Sequence, residues 1–425
     1  MLQKIVYAGA NSPSFRRASN DLRVLAEVTV AVKQVERLTQ RIGQERQQQR
    51  DAATAAYQAR TLTQRDEAPP DQTPPSLAVV EMDGGRLQIR AAGEEAEPTP
   101  ATVPVADPQP SPAATEEAAP DKRPRAGHWR EDKVGCLLAM TSEVHAVDPC
   151  PQIPAVFVDP LQALKLAQQI GHCSAAPGTP FAATPPPPED AAAEQHGPRP
   201  GRPDVERRRV IASRKSSDDF APLLASVAWS MGLFQASRQA FVADGAAENW
   251  SVYKRYFSRF TAVLDFLHAL TYVYAAALAG RTFAQGWPIY ERWIGWVWAG
   301  QVDRVIAELT TRQQDLGPAS KEEKEGSPRR VVQESLTYLS NHRDKMDYAA
   351  YRRQGLPLMS SHVESTVKQI NYRVKGTEKF WSEEGAEALL QLRADYLSEE
   401  EPMERFWRQR QAEATGQRRY RRRTA

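Results

Sequence analysis

The chain has 425 residues, with 55 Lys and Arg against 53 Asp and Glu, for a formal net charge of +2. That length allows two or more domains and a sizeable core. The balance excludes a uniformly basic or acidic protein and leaves only local charged segments to meet a polyanion. Asp and Glu dominate from about Asp66 to Glu117, and Arg and Lys dominate at Arg207–Lys215 and again at Arg405–Arg423. The basic stretches fit either solvated surface or contact with a polyanion. The three cysteines, Cys136, Cys150 and Cys173, include no CxxC pair, so neither a disulfide framework nor a structural zinc site is supported. The chain does not begin with a secretory apolar region, and its longest apolar run, Tyr272–Ala279, is too short to span a bilayer. A cytosolic protein without membrane partners is therefore expected.

In chain order, residues 1–65 form a helical N-terminal region. After an entry at Asn11-Ser12-Pro13-Ser14, Leu22, Leu25, Ala26 and Val30 make one apolar stripe, and Val35, Leu38 and Ile42 make a second. The link Glu27–Val30 divides them into two helices, with Thr29 as the cap of the second. Lys33, Gln34, Arg37 and Arg41 lie on that helix's outer face, which suits a DNA-reading helix-turn-helix. A plain helical hairpin or coiled-coil arm fits the same pattern. Glu45–Arg50 contains only Glu, Gln and Arg and is expected to be solvated.

A proline-rich linker at 65–76 precedes residues 77–90, which read as a strand, a tight Gly84-Gly85 turn and a second strand. Residues 91–125 lack periodicity and are expected to be a disordered insert. His128–Met140 reads as another strand of the same sheet, and a short helix is expected over Pro160–Ile170, within a core continuation at 126–173. Residues 174–205 are a second insert, proline-rich and then charged. The core resumes over 206–280. Phe220, Leu223, Leu224, Val227 and Met231 share one face of a helix at 217–237. A strand at 238–244 ended by Gly245, a helix at 246–258, a strand at 260–265 and a helix at 266–280 follow. Alternating short strands and helices with carboxylates at strand ends predict a mixed α/β core.

Residues 281–320 are expected to be helical, with Trp287, Trp293, Trp296 and Trp298 serving packing more readily than a stacking platform. A charged surface loop at Lys321–Arg329 and a helix at 331–352 lead to the break Gly355-Leu356-Pro357. A helix at 361–371 carries Glu364, and another spans 383–397. The tail from Glu400 is highly charged and expected to be weakly ordered.

Three carboxylates bear on chemistry: Asp83 and Asp244, each at a strand end beside glycine, and Glu364 on its helix. Carboxylates far apart in sequence but on adjacent elements can hold two divalent cations and act on a phosphodiester. Oxygen ligands suit Mg²⁺ or Mn²⁺. Turn formation beside Gly84 and Gly245 explains the two aspartates equally well. In Asp265-Phe266-Leu267-His268, the histidine could donate to a carboxylate or touch a phosphate, and a helix cap beside a partly buried histidine is the other reading.

Several blocks together resemble bacterial insertion-sequence transposases of the DDE type, in the broad group similar to Mutator-like elements. They are Met82–Arg86, Trp129–Val134, Val242–Ala246, Leu264–His268, and Met359–Ser365 through Val374–Trp381. The resemblance covers most of the chain outside the two inserts. It implies an RNase H-like core with a helical insertion between the second Asp and the Glu, here 281–350, and a C-terminal core segment at 351–399 followed by the tail at 400–425. It implies Asp83, Asp244 and Glu364 as the catalytic metal ligands, with two Mg²⁺ (or Mn²⁺) ions, and matches Asp265 and His268 to the C/D-x-x-H signature. It further implies cleavage of transposon ends and transfer of the 3′-hydroxyl strand to target DNA, synapsis by a homo-oligomer on DNA, and a nucleoid-associated location in the cytoplasm. Arg86, Lys368, Arg373 and Lys375 are candidates for phosphate contact or solvated surface residues. The family carries a longer N-terminal region, so an expected end-recognition segment lies partly before Met1. The alternatives are a nuclease without strand transfer, a DNA-binding remnant or regulator with an idle metal site, and a structural protein held together by its helices.

Overall fold

The computed structural model describes residues 1–89, 129–170, 203–320, 322–376 and 379–413. Its centre is a six-stranded mixed sheet surrounded by helices. The strands are β1 (Leu77–Ile89), β2 (Trp129–Thr141), β3 (Asp204–Ser213), β4 (Arg238–Ala243), β5 (Thr261–Leu264) and the short β6 (Phe380–Trp381). They are ordered β3-β2-β1-β4-β5, with β6 paired to the far end of β1. β2 runs antiparallel to β1 and to β3, whereas β4 is parallel to β1 and to β5. β1 is thus the hinge between the antiparallel and parallel halves. Its run Leu77–Val80 is buried throughout, as a central strand covered on both faces requires.

The expected turn at Gly84-Gly85 does not occur. β1 continues through both glycines, with Gly84 opposite Lys133 and Gly85 opposite Asp132. The glycines serve close approach instead of reversal: a Cβ on Gly85 would lie 2.8 Å and 2.9 Å from the two Asp132 carboxylate oxygens. On its other side β1 pairs with β4 only from Leu77 to Met82, then with β6 from Gln88. Among the described residues, 83–87 therefore have no strand neighbour on that side, and a cleft opens there.

The N-terminal helices are α1 (Leu2–Asn11), α2 (Phe15–Leu25), α3 (Val32–Gln58) and α4 (Leu62–Asp66). The break between α2 and α3 is present, but α3 begins after Ala31 with no side-chain cap, so Thr29 does not cap it. Glu45–Arg50 is not a solvated stretch. α3 packs along α14 (Glu383–Leu397), where Arg46 Nε lies 2.9 Å from Asp395 and buried Arg50 lies 3.0 Å from Glu387. Long polar side chains are tolerated here because each charge meets its opposite.

α5 (Pro160–Ile170), α7 (Ala247–Tyr256) and α8 (Phe266–Leu278) form as expected, whereas the helix expected over 217–237 ends early: α6 covers Ser217–Ser230, and Gly232 at φ +71° leads into a 3₁₀ turn at Leu233–Gln235. Besides α14, the described helices after α8 are α9 (Phe283–Trp298), α10 (Val302–Leu316), α11 (Pro328–Asn341), α12 (Tyr348–Arg353), α13 (Ser361–Val374) and α15 (Pro402–Ala412). The helix expected over 331–352 is divided at 342–347, where a 3₁₀ turn and Asp347, capping Ala350 N–H, start α12 anew. That break lets Tyr348 and Tyr351 donate to the carbonyls of Leu264 and Ala262, covering the open edge of β5. The opposite edge is also closed: Val210 N–H donates to Ser398 Oγ and Glu399 N–H to Arg208 O.

That edge explains the basic run Arg207–Lys215. It is mostly β3, and Arg207, Arg208 and Arg209 pair with Glu399 and Glu400, Arg214 with Glu383, and Lys215 with Asp51. Its charges are answered within the chain. Within the tail, Pro402–Ala412 form α15, which buries Met403 and Phe406 and pairs Arg410 with Glu45; residues 414–425 lie outside the described residues. Trp293 and Trp298 are core residues, with indole N–H groups bonded to Glu308 and to Cys150 O.

Residues 91–125 and 174–202 of the expected inserts lie outside the described residues; at 203–205 the chain is already entering β3. No helix among the described residues is long and apolar enough to cross a membrane.

Candidate metal centre

Asp83 and Asp244 emerge side by side. Met82 is the last β1 residue paired to β4, opposite Ala243, and each aspartate is the next residue along the chain, Asp83 within β1 and Asp244 just past the end of β4. Asp244 is held by an Asx turn: its Oδ1 accepts from Ala246 N–H at 2.9 Å and from Asn249 Nδ2 at 2.8 Å. Buried Asn249 also reaches Met82 O, at 3.4 Å, tying the start of α7 to β1. Asp83 Oδ1 accepts from Gly84 N–H at 2.7 Å. Burial, together with the negative charges of Asp244 and Asp265, raises the Asp83 pKa despite that bond and the nearby His268. A cleft of about 230 Å³ opens here, lined by Asp83, Gly85, Arg86, Asp132, Asp244 and Asn249 among others.

Glu364 arrives on the first turn of α13, whose N-terminus is fixed by two buried carboxylates. Asp265 Oδ2 accepts from both the N–H and the hydroxyl of Ser360, each at 2.6 Å. Glu81 Oε2 accepts from Val363 N–H at 2.7 Å. A helix start presents unsatisfied N–H groups, so anions stabilise it. Glu81 sits two residues before Asp83 and so on the same face of β1; it is completely buried, and its Oε1 has no hydrogen-bond partner. Burial lifts the Glu81 pKa to about 8, aided by Asp265 and Glu364 and opposed by its backbone bonds. Glu364 Oε1 is likewise buried and without a partner, and burial followed by Asp265 raises its pKa.

Asp265 also caps α8, its Oδ1 accepting from Leu267 and His268 N–H at 2.7 Å and 3.2 Å. His268 Nδ1 lies 3.5 Å from that same oxygen. Burial disfavours the imidazolium, but Asp265, Asp244 and Glu364 outweigh it and lift the His268 pKa to about 9. One potential ligand atom from each of Asp265, His268 and Glu364 falls within 4.8 Å of the others, a group that does not include Asp83 or Asp244. Both Asp265 oxygens are already committed to four donors, so its part is to position α8, α13 and His268.

The expected phosphate contacts separate. Arg86 is exposed at the cleft, 3.7 Å from Glu131. Lys368 and Lys375 are exposed, with the Lys375 ammonium 5.7 Å from the Trp129 ring centroid. Arg373 is not available to DNA. It is 1 % exposed, donates twice to Gly9 O at 3.1 Å and 3.0 Å, and stacks on Phe15 and Trp381.

Sequence reasoning overlooked Glu81, Asp132, Asn249 and Ser360. A charge inside an apolar strand, in period-two register with Asp83, was the signal for Glu81. Nothing local marks Ser360 or Asn249, whose partners come from distant segments. No family model matches the chain, and no curated protein matches it at a significant level.

Proposed function

We propose that the chain is a metal-dependent DNA transposase with an RNase H-like catalytic core, hydrolysing a phosphodiester at a transposon end and joining the freed 3′-hydroxyl to target DNA. The observation that carries this reading is the emergence of Asp83 and Asp244 from adjacent parallel strands, with the Glu364 helix docked on the same strand through Glu81. The sheet order β3-β2-β1-β4-β5, antiparallel up to β1 and parallel beyond it, supports the fold assignment. So does the position of α9 to α12 between the second aspartate and the glutamate.

The donor set fits the metal. Asp83, Asp244 and Glu364 offer only carboxylate oxygens, and Glu364 Oε1 is buried with nothing to satisfy it. That is the chemistry of an Mg²⁺ or Mn²⁺ site. Two such ions, when bound, supply charge neutralisation at the phosphate and favour the ionised form of the attacking oxygen. Asp83, Asp244 and Glu364 would hold them, Asp265 and Glu81 keep α13 in place, and His268 offsets part of the negative charge of the cluster. Arg86, Lys368 and Lys375, all exposed, would contact phosphates; the basic run Arg207–Lys215 is occupied internally.

The test is incubation of the protein with labelled DNA carrying the flanking ends of its own gene, in Mg²⁺ or Mn²⁺, beside Glu364→Gln. Cleavage and joining by the parent and neither by the variant is expected. Cutting without joining would replace strand transfer with a nuclease activity. Binding without any metal-dependent reaction would leave a DNA-binding protein, and equal activity in both would remove Glu364 from the site.

A further inference from the structure

We propose that Asp132 is an additional cation-binding carboxylate of this centre, acting beside Asp83; the inference rests on the metal-dependent reading above. Asp132 lies on β2 directly opposite Gly85. Opposed residues of an antiparallel pair share a face, and Gly85 shares its face with Asp83 two residues earlier. The carboxylate therefore turns toward the side of the sheet on which Asp83 lies, and both residues line the same cleft. Gly85 leaves the space it occupies: a Cβ there would stand 2.8 Å and 2.9 Å from its two oxygens.

Asp132 is 1 % exposed, and neither oxygen has a hydrogen-bond partner. A buried carboxylate without a partner is costly and rare in folded proteins. Lys133 and Lys375 act on it only through space, and Asp83 opposes them. A cation in the cleft answers this arrangement: it satisfies Asp132 and Asp83 together and explains why a glycine faces them. The glycine pair thus makes room for a ligand set instead of reversing the chain.

The experiment is Mn²⁺ titration of the full chain near neutral pH, with free ion followed by electron paramagnetic resonance, for the parent, Asp132→Asn and Asp83→Asn. Asp132→Asn should weaken Mn²⁺ binding by about tenfold or more, the scale on which metal-site partners act. Its unfolding midpoint in chelator should be no lower than the parent's, because an unsatisfied buried carboxylate has been replaced by a neutral isostere. Gly85→Ala, which keeps every carboxylate but crowds Asp132, should weaken binding in the same direction and decides the matter if Asp132→Asn does not fold. Mn²⁺ affinity within about twofold of the parent in the folded variant, with binding lost in Asp83→Asn, would overturn the role of Asp132 and leave the metal centre intact. A parent that binds no Mn²⁺ would overturn both.

Discussion

Glu81→Gln isolates the energetic strain at the centre of the molecule. In the folded chain the Glu81 pKa is raised to about 8 from an ordinary 4.5. Between those values the folded state holds a proton that the unfolded state has released. Stability must therefore fall as pH rises through that window, the reverse of a salt-bridged carboxylate. At about 1.4 kcal/mol per pKa unit, the rise sets a ceiling of about 5 kcal/mol lost to Glu81 ionisation by the upper end of the window. Glutamine has nearly the same shape, offers a carbonyl oxygen to Val363 N–H in place of Glu81 Oε2, and does not titrate. Urea unfolding in chelator, followed by tryptophan fluorescence from about pH 5 to pH 9, measures the difference. The parent should lose on the order of 3–5 kcal/mol relative to the variant across that range. Asp132 and Asp83, whose pKa values are also raised, contribute to both slopes and cancel in the difference, whereas the repulsion between Glu81 and Glu364 is part of what the difference measures. Parallel curves would refute the reasoning, because they would mean that Glu81 ionises in the folded chain as it does in water.

Other substitutions probe the rest of the site. Asp265→Asn removes the charge that outweighs burial at His268, so the imidazole pKa should drop from about 9 toward its ordinary 6.5, as read by NMR titration; an unchanged value would detach His268 from Asp265. The sign follows: His268 contributes stability that is full below its unfolded pKa and lost as pH rises through about 9, and the variant should lack that loss. Gly245→Ala would put a Cβ 2.1 Å from the Tyr338 ring and should cost about 1–3 kcal/mol in urea unfolding. Arg373→Ala should destabilise the fold by about 2–4 kcal/mol, through lost packing and an abandoned Gly9 carbonyl, while leaving the salt dependence of DNA binding unchanged. Lys368→Ala and Lys375→Ala should do the opposite, each reducing the slope of log affinity against log salt by about 0.9 if it neutralises one phosphate.

Local pattern determined much of the element list. The helix at 383–397 forms within those bounds, and the strand read over 238–244 forms one residue shorter, as Arg238–Ala243, because periodicity and a following glycine are local signals. The mixed α/β class follows from the same alternation. What only the tertiary structure decided are properties of register and burial. Gly84-Gly85 has the composition of a hairpin turn, yet pairing with β2 across a separation of more than 40 residues keeps the strand straight, since a ladder to β2 that runs on before and after the glycines outweighs their freedom to turn. Arg373, Arg50 and Arg207–Arg209 have the composition of a polyanion-binding surface, but a buried guanidinium or a paired one is distinguished only by what folds against it. Asp83, Asp244 and Glu364 could be picked out as strand-end and helix acids. That Glu81 holds the Glu364 helix, that Asp265 fastens Ser360, and that Asp132 lies bare beside Asp83 depend on contacts between segments distant in the chain, which no local stretch of sequence encodes.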